Sequence, residues 1–340
     1  MAKLGVISDP ALVLHDTGPR HPERPDRLRA IHRAFRLAGL LSSPDPFPQF
    51  AIDLTEAGSA ELARAACPAT ELPHRPATDA DLLLCHTAAH IARVAHTCSA
   101  GEGTLDAGDT PVSPRSDELA RIAAGAALSA VDAVLSGTVD RCFVATRPPG
   151  HHAEPDRAMG FCLYSSIALA ARHALLRHNL ARVAIVDFDV HHGNGTQSCL
   201  ETDPAALFIS IHQHPQTCYP GTGFEWEVGM GAGKGFTLNI PLPPTAGDAT
   251  YAKTLAETVV PRLREFKPQL LLLSTGFDAH HSDPLADMEL SDDGFADLTR
   301  TLVQAANELC GGKIVSLLEG GYHLPALARS AVRHAIELQR

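Results

Sequence analysis

The chain has 340 residues, 45% hydrophobic and 20% charged, with a formal net charge of −11. That length suits one large α/β domain or two smaller ones, and the negative charge argues against nucleic acid, which requires a basic face; it fits a cationic small molecule or a lysine-bearing chain, although surplus carboxylate often serves only solubility. Eight scattered cysteines without a Cys-x-x-Cys pair read as reduced thiols, and with no signal-like start and no apolar run near about 18 residues the expectation is a soluble, cytoplasmic protein with no membrane contact.

Leu4 to Ile7 predict a first strand, followed by a polar Pro/Gly-punctuated loop, 15–25. Pro25 opens a helix over 26–40, with Leu28, Ile31, Phe35 and Leu40 near helical spacing. Residues 42–58 and 67–78 read as irregular. One or two short helices are expected over 79–96, with Thr78 or Asp79 as N-cap. An acidic loop, 99–114, carries Glu102, Asp106 and Asp109, and an Ala-rich helix covers 116–137. Alternation then sets in. Strands are expected at 142–146, 182–189, 206–212, 236–241, 270–274 and 313–318, and helices at 161–178, 195–200, 250–266, 292–309 and 324–338. The Gly-rich run 229–235 reads as a hairpin-like loop. Alternating helices with continuously apolar strands predict a mostly parallel sheet covered on both faces, in a single domain over 1–340.

In such a sheet, ligands bind beyond the strand C-termini, and the polar residues gather there. The strand 182–189 runs into Asp187-Phe188-Asp189-Val190-His191-His192, and alternation puts Asp187, Asp189 and His191 on one face. Burying such groups without a common partner costs several kcal/mol each. Oxygen and nitrogen donors suit zinc, and Asp189, His191 and Asp278 can form an open three-ligand site. The plainer alternative is a loop acid and a satisfied core histidine. His151 and His152, after Pro148-Pro149-Gly150, read as two acid–base groups, as extra ligands or as surface residues. Asp187 and Asn194 are natural partners for orienting imidazoles. Tyr322, after Glu319-Gly320-Gly321, reads as a donor to a developing oxyanion or as a core tyrosine. Phe161 and Tyr219 are channel walls or ordinary core aromatics.

Five runs, Arg147-Pro148-Pro149-Gly150-His151-His152, Gly160-Phe161-Cys162, Asp187 to Thr196, Gly276-Phe277-Asp278-Ala279-His280 and Glu319-Gly320-Gly321-Tyr322, together resemble the histone deacetylase family in order and spacing across residues 4–335. The resemblance is strongest to the class II branch and its bacterial amidohydrolase relatives. It implies the arginase/deacetylase α/β fold. It further implies one catalytic Zn²⁺ on Asp189, His191 and Asp278, and His151 and His152 as tandem histidines, with His152 as base. Tyr322 would face the carbonyl oxygen. Phe161 and Tyr219, with Gly160 and Gly320, would line an acyl-lysine tunnel; the family usually has Phe where Tyr219 stands. Asp187 and Ser210 would hold a structural K⁺ or Na⁺, with Asn194 supporting, and Arg27 would line an acetate-side channel. The implied activity is removal of acyl groups, chiefly acetyl, from lysine in proteins or peptides. The alternatives are an acylated polyamine or other small amine as substrate, a two-metal ureohydrolase, whose Gly-Gly-Asp-His motif is missing, or a binding protein that has lost catalysis. Oligomeric state is left open.

Overall fold

The computed structural model describes residues 1–55, 62–65, 67–101, 103–106 and 108–340. Glu102 and part of the 42–58 segment lie outside the described residues. The strands are β1 (Leu4–Ile7), β2 (Thr70–Glu71), β3 (Arg141–Val144), β4 (Val183–Asp187), β5 (Ala206–Gln213), β6 (Thr237–Leu242), β7 (Leu270–Thr275) and β8 (Ile314–Leu318). They form one sheet in the order β2-β1-β3-β8-β7-β4-β5-β6. Its pairings are parallel. The helices are α1 (Asp26–Leu37), α2 (Asp79–Leu82), α3 (Ala88–Ala100), α4 (Ser116–Leu135), α5 (Ser166–Arg177), α6 (Asn194–Leu200), α7 (Asp248–Thr254), α8 (Val260–Phe266), α9 (Asp292–Cys310) and α10 (Leu324–Glu337).

The central strands β4, β7 and β8 are largely apolar because both faces are covered. Along β4, Ala184 and Val186 join one core with Phe35 of α1, Phe295 of α9 and Val332 of α10. Val183 and Ile185 join the other, with Ala130 of α4 and Ala171 of α5. The period-2 alternation of a strand thus feeds two layers at once. No helix among the described residues is long and apolar enough to cross a membrane.

The expected elements need local corrections. The helix expected from 161 starts at Ser166, because Phe161 has φ 69 and the bridge Met159–Cys162 keeps the chain in a loop. Of the one or two helices expected over 79–96 the structure has two, α2 capped by Thr78 as expected and α3 capped by Thr87. β2 falls in the stretch read as irregular; two residues are too few to show alternation. The 229–235 loop is no hairpin, since β5 and β6 run parallel and the connection must cross from one end of the sheet to the other.

One glycine shows how tightly the 75–77 segment crosses α4. A Cβ on Gly125 would lie 1.9 Å from the Arg75 carbonyl oxygen and 2.6 Å from the Ala77 nitrogen. Gly→Ala inside a helix ordinarily gains up to about 1 kcal/mol. Here Gly125→Ala is expected to lose about 1–3 kcal/mol through overpacking. Urea denaturation measures it, and a raised midpoint would contradict the close crossing.

Candidate active site

Four strands adjacent in the sheet, β3, β8, β7 and β4, end in the polar runs named above. Their C-terminal loops therefore meet over the middle of one sheet edge, where ligands of such sheets bind. The face argument for Asp187, Asp189 and His191 is corrected here: β4 ends at Asp187. The two later residues are aimed by successive side-chain turns instead. Asp187 Oδ1 accepts from the Asp189 backbone N–H at 3.1 Å, and Asp189 Oδ1 accepts from the His191 N–H at 2.9 Å.

These turns bring three ligating atoms together. His191 Nδ1 lies 3.0 Å from Asp189 Oδ1 and 3.2 Å from Asp278 Oδ2. Asp189, Asp278 and His191 are all buried, and their ligating atoms lie within 4.8 Å of one another. Asp278 Oδ1 accepts from the Val190 N–H at 3.0 Å, but its buried Oδ2 has no hydrogen-bond partner. An orphaned carboxylate oxygen in a dry interior is costly. Two carboxylates and an imidazole around it are a donor set that fits zinc. The backbone makes room for them. A Cβ on Gly320 would lie 1.9 Å from Asp278 Oδ2, and one on Gly276 would lie 2.1 Å from Asp189 Oδ2. Gly320, expected as a tunnel residue, lies against the carboxylates, and its N–H donates to Asp189 Oδ2 at 2.7 Å.

The tandem histidines sit beside this cluster. His151 Nδ1 pairs with Asp187 Oδ2 at 3.0 Å, and its Nε2 lies 3.7 Å from Asp189 Oδ1. Burial works against the charged form of His151, but Asp189 and Asp187 outweigh it and push its pKa up to about 10; a cation bound to Asp189 would offset part of that pull. His152 moves the other way, well below the ordinary value, through burial and then the positive charge of His151 and His191. Its Nδ1 lies 2.7 Å from Asn194 Oδ1, while Asn194 Nδ2 donates to Glu154 Oε1 at 2.8 Å. The second bond fixes which way the amide faces, so Oδ1 accepts from His152 Nδ1–H and Nε2 keeps its lone pair. Gly160 packs flat on this ring; a Cβ there would meet His152 Cδ2 at 2.3 Å.

Tyr322 and the two aromatics surround the same space. Phe161 meets the Tyr322 ring edge-on at 5.9 Å, and Tyr219 meets His152 at 5.1 Å and His191 at 6.3 Å. Burial, with Asp278 and Asp189 adding to it against the nearby Arg27, holds the Tyr322 phenol well above its usual range. It stays a donor at neutral pH. Ser210 pairs with Asp187 across β4 and β5, and its hydroxyl bonds His212 Nδ1 at 2.9 Å.

Arg27, expected to line a channel, directs three of its five N–H groups at two backbone carbonyls and at Glu23. Nε donates to the Gly321 carbonyl at 2.6 Å, Nη2 to the Glu319 carbonyl at 2.5 Å and Nη1 to Glu23 Oε1 at 3.2 Å. It anchors the Glu319–Tyr322 loop from behind, 4.9 Å from the Tyr322 ring.

Three supporting residues have no role assigned from the sequence, although Glu319 stands in one of the motif runs. Glu23 accepts from Arg147 through both oxygens, at 2.8 and 2.6 Å. Glu319 Oε2 accepts from the Gly150 and His151 N–H groups at 2.6 and 3.1 Å, which orients the histidine loop. Asp283 Oδ2 accepts from the Tyr322 N–H at 2.7 Å. Each contact bridges residues far apart in sequence, so no local spacing marks it.

Outside this cluster a cleft of about 1030 Å³ opens, lined by Arg93, Asp106, Asp109, Glu154, Met159 and Tyr219 among others. Burial, then Asp106, pushes Asp109 up to about 6.

A parallel α/β sheet carrying a buried Asp–His–Asp cluster able to hold a metal ion, beside paired imidazoles, defines the class, and comparison with known proteins makes it specific. The histone deacetylase domain family matches residues 21–338, and the chain belongs to the histone deacetylase family. It is 44% identical over 248 residues to the histone deacetylase-like amidohydrolase of Pseudomonas aeruginosa, covering 73% of this chain and 64% of that one. It is 38% identical over 268 residues to the polyamine deacetylase HDAC10 of Homo sapiens, covering 76% of this chain and 40% of that one. Among solved structures, the HDA15 HD domain superposes with a TM-score of 0.86 at 34% identity, covering 100% of this chain and 90% of that one.

The Glu23 cluster sets an acid limit on the fold. Burial alone would raise the Glu23 carboxyl, but Arg147 and Arg27 overcome it and lower the pKa from 4.5 to about 2. A depressed folded-state pKa gives stability that is fully present above the unfolded value, near 4.5, and is lost as pH falls towards 2. The expected loss from this group is about 3 kcal/mol. Glu23→Gln should remove that part of the acid slope while starting about 3–5 kcal/mol less stable, because two buried guanidiniums lose their partner. Denaturation curves between pH 5 and pH 2 check it; equal slopes for the two proteins would contradict it.

Proposed function

We propose that this chain is a zinc-dependent amidohydrolase that removes acyl groups, chiefly acetyl, from the ε-amine of lysine in proteins or peptides. The observation that carries the reading is the convergence of Asp189 Oδ1, Asp278 Oδ2 and His191 Nδ1 beside the His151–His152 pair. Asp189, His191 and Asp278 would hold the ion, and zinc bound there would polarise an amide carbonyl and lower the pKa of water.

The protein groups supply the rest. His152 is neutral at pH 7, and Asn194 fixes its tautomer with Nε2 free, so it takes the proton from the attacking water. The protonated histidine pair then returns a proton to the departing nitrogen, a step the amide needs because an amine leaves poorly as an anion. Asp187 holds His151 through Nδ1 and stabilises its charged form. The Tyr322 hydroxyl donates to the carbonyl oxygen as that oxygen gains charge. Phe161 and Tyr219 give the acyl-lysine stem an apolar passage, and the products are a carboxylate and a free amine. Asp187 and Ser210 would also hold a structural K⁺ or Na⁺, in keeping with the adjacency of their positions across β4 and β5.

The cleft also admits a second substrate, an acylated polyamine. Asp106, Asp109 and Glu154 on its walls can attract either the basic residues of a peptide or a second ammonium group. Steady-state rates on an acetyl-lysine peptide and on acetylputrescine separate the two. The lysine reading expects the higher kcat/KM on the peptide; a preference for the diamine of about 100-fold, roughly 3 kcal/mol, would replace it. Tyr322→Phe should lower kcat by about 10²–10³ while zinc content stays at the wild-type value. Unchanged turnover in that variant would remove the oxyanion role.

A further inference from the structure

A second group of metal-ligating side chains lies away from the active site. Asp132 is on α4, His173 is on α5, and His178 directly follows the α5 C-terminus. Both imidazoles direct Nε2 at the same carboxylate oxygen, Asp132 Oδ1, each at 2.7 Å. The ligating atoms of all three lie within 4.8 Å of one another.

Helix periodicity does not produce this convergence. Residues five apart on a continuous helix point about 140° away from each other. His178 reaches Asp132 because α5 stops at Arg177 and His178 leaves the helix with φ −102 and ψ 2, followed by Asn179 at φ 54. The chain therefore turns at the point that brings the second imidazole onto the first one's partner. The two rings meet edge-on at 5.3 Å.

We propose that Asp132, His173 and His178 form a second divalent-cation site, with zinc favoured by the donor set, which clamps the end of α5 to α4. Two imidazoles and one carboxylate, with a fourth position open to water, make a four-coordinate zinc site. Tetrahedral zinc holds its ligand atoms about 3.3 Å apart, so the donors must open by about half an ångström from the 2.7 Å spacing. The site can give that much. His173 is nearly buried and fixed, but the side chains of Asp132 and His178 are 47% and 28% exposed, so they can swing and an ion can enter from solvent.

The location sets the role. The catalytic groups lie beyond the C-terminal end of β4, whereas His178 precedes its first residue, Val183. The site is thus at the opposite end of the sheet from the reaction. It joins two helices that already pack on one sheet face through Ala127, Ala130, Ala171 and Ala174. A bound ion should stabilise this helix pair without changing turnover.

The test equilibrates the holoenzyme with micromolar Zn²⁺ and counts metal per chain. His178→Ala and Asp132→Asn serve as variants, since both positions are partly exposed and neither belongs to the catalytic cluster. The wild-type protein should hold two equivalents and each variant one, with deacetylase kcat unchanged in all three. Added Zn²⁺ should raise the Tm of the wild type and not that of the variants. Either a single equivalent in the wild type, or a second equivalent that survives both substitutions, would overturn the proposal. The first result would leave one carboxylate oxygen accepting two imidazole N–H groups as the full account of the cluster.

Discussion

The architecture turns on two carboxylates, Asp189 and Asp278, buried side by side at the ends of adjacent strands. Like charges this close raise each other's cost, and burial adds to it. For Asp278, burial and then Asp189 push the carboxyl above its usual range, against the pull of His191. A positive partner beside the pair, such as His191 or a bound cation, offsets that cost. The surrounding structure is built to admit one. Gly276 and Gly320 remove side chains that would otherwise fill the space, and the turns through Asp187 and Asp189 fix His191 in place.

Asp189, with Asp187, also governs the histidines. His151 lies nearest the carboxylates and is driven towards the charged form, whereas His152, one residue on, faces His151 and Asn194 and stays neutral. Two adjacent residues of one type thus acquire opposite protonation preferences from their surroundings. Glu319 carries this arrangement across the sheet. Burial, against the pull of His151, raises its carboxyl to about 7, and it holds the histidine loop by two backbone N–H groups. On the far side, Arg27 holds the Glu319 and Gly321 carbonyls and is itself held by Glu23, which also holds Arg147 at the start of the histidine loop. Buried charge is spread over a chain of contacts that leads from the acidic pair to the N-terminal loop.

Much of this was legible in the residues. Strand–helix alternation gave the parallel sheet, since continuous apolar runs leave few other folds. Asp189, His191, Asp278, His151, His152 and Tyr322 stood out because polar residues at strand ends break an apolar pattern. What failed was anything set by tertiary contact. Strand alternation could not foresee that β4 stops at Asp187 and that hydrogen-bonded turns take over. Phe161 looked like a helix start, but its positive φ places it in a loop. Asp132, His173 and His178 went unremarked because their ligand geometry depends on where α5 ends.

The most direct test of the central claim is zinc content in a His178→Ala background, which leaves the active-site cluster as the remaining candidate among the described residues. Asp278→Asn in that background should lose the remaining equivalent while keeping the folded far-UV spectrum. A folded Asp278→Asn protein that still holds one zinc as tightly as its parent would contradict the account, because the carboxylate pair would then not be what the ion answers.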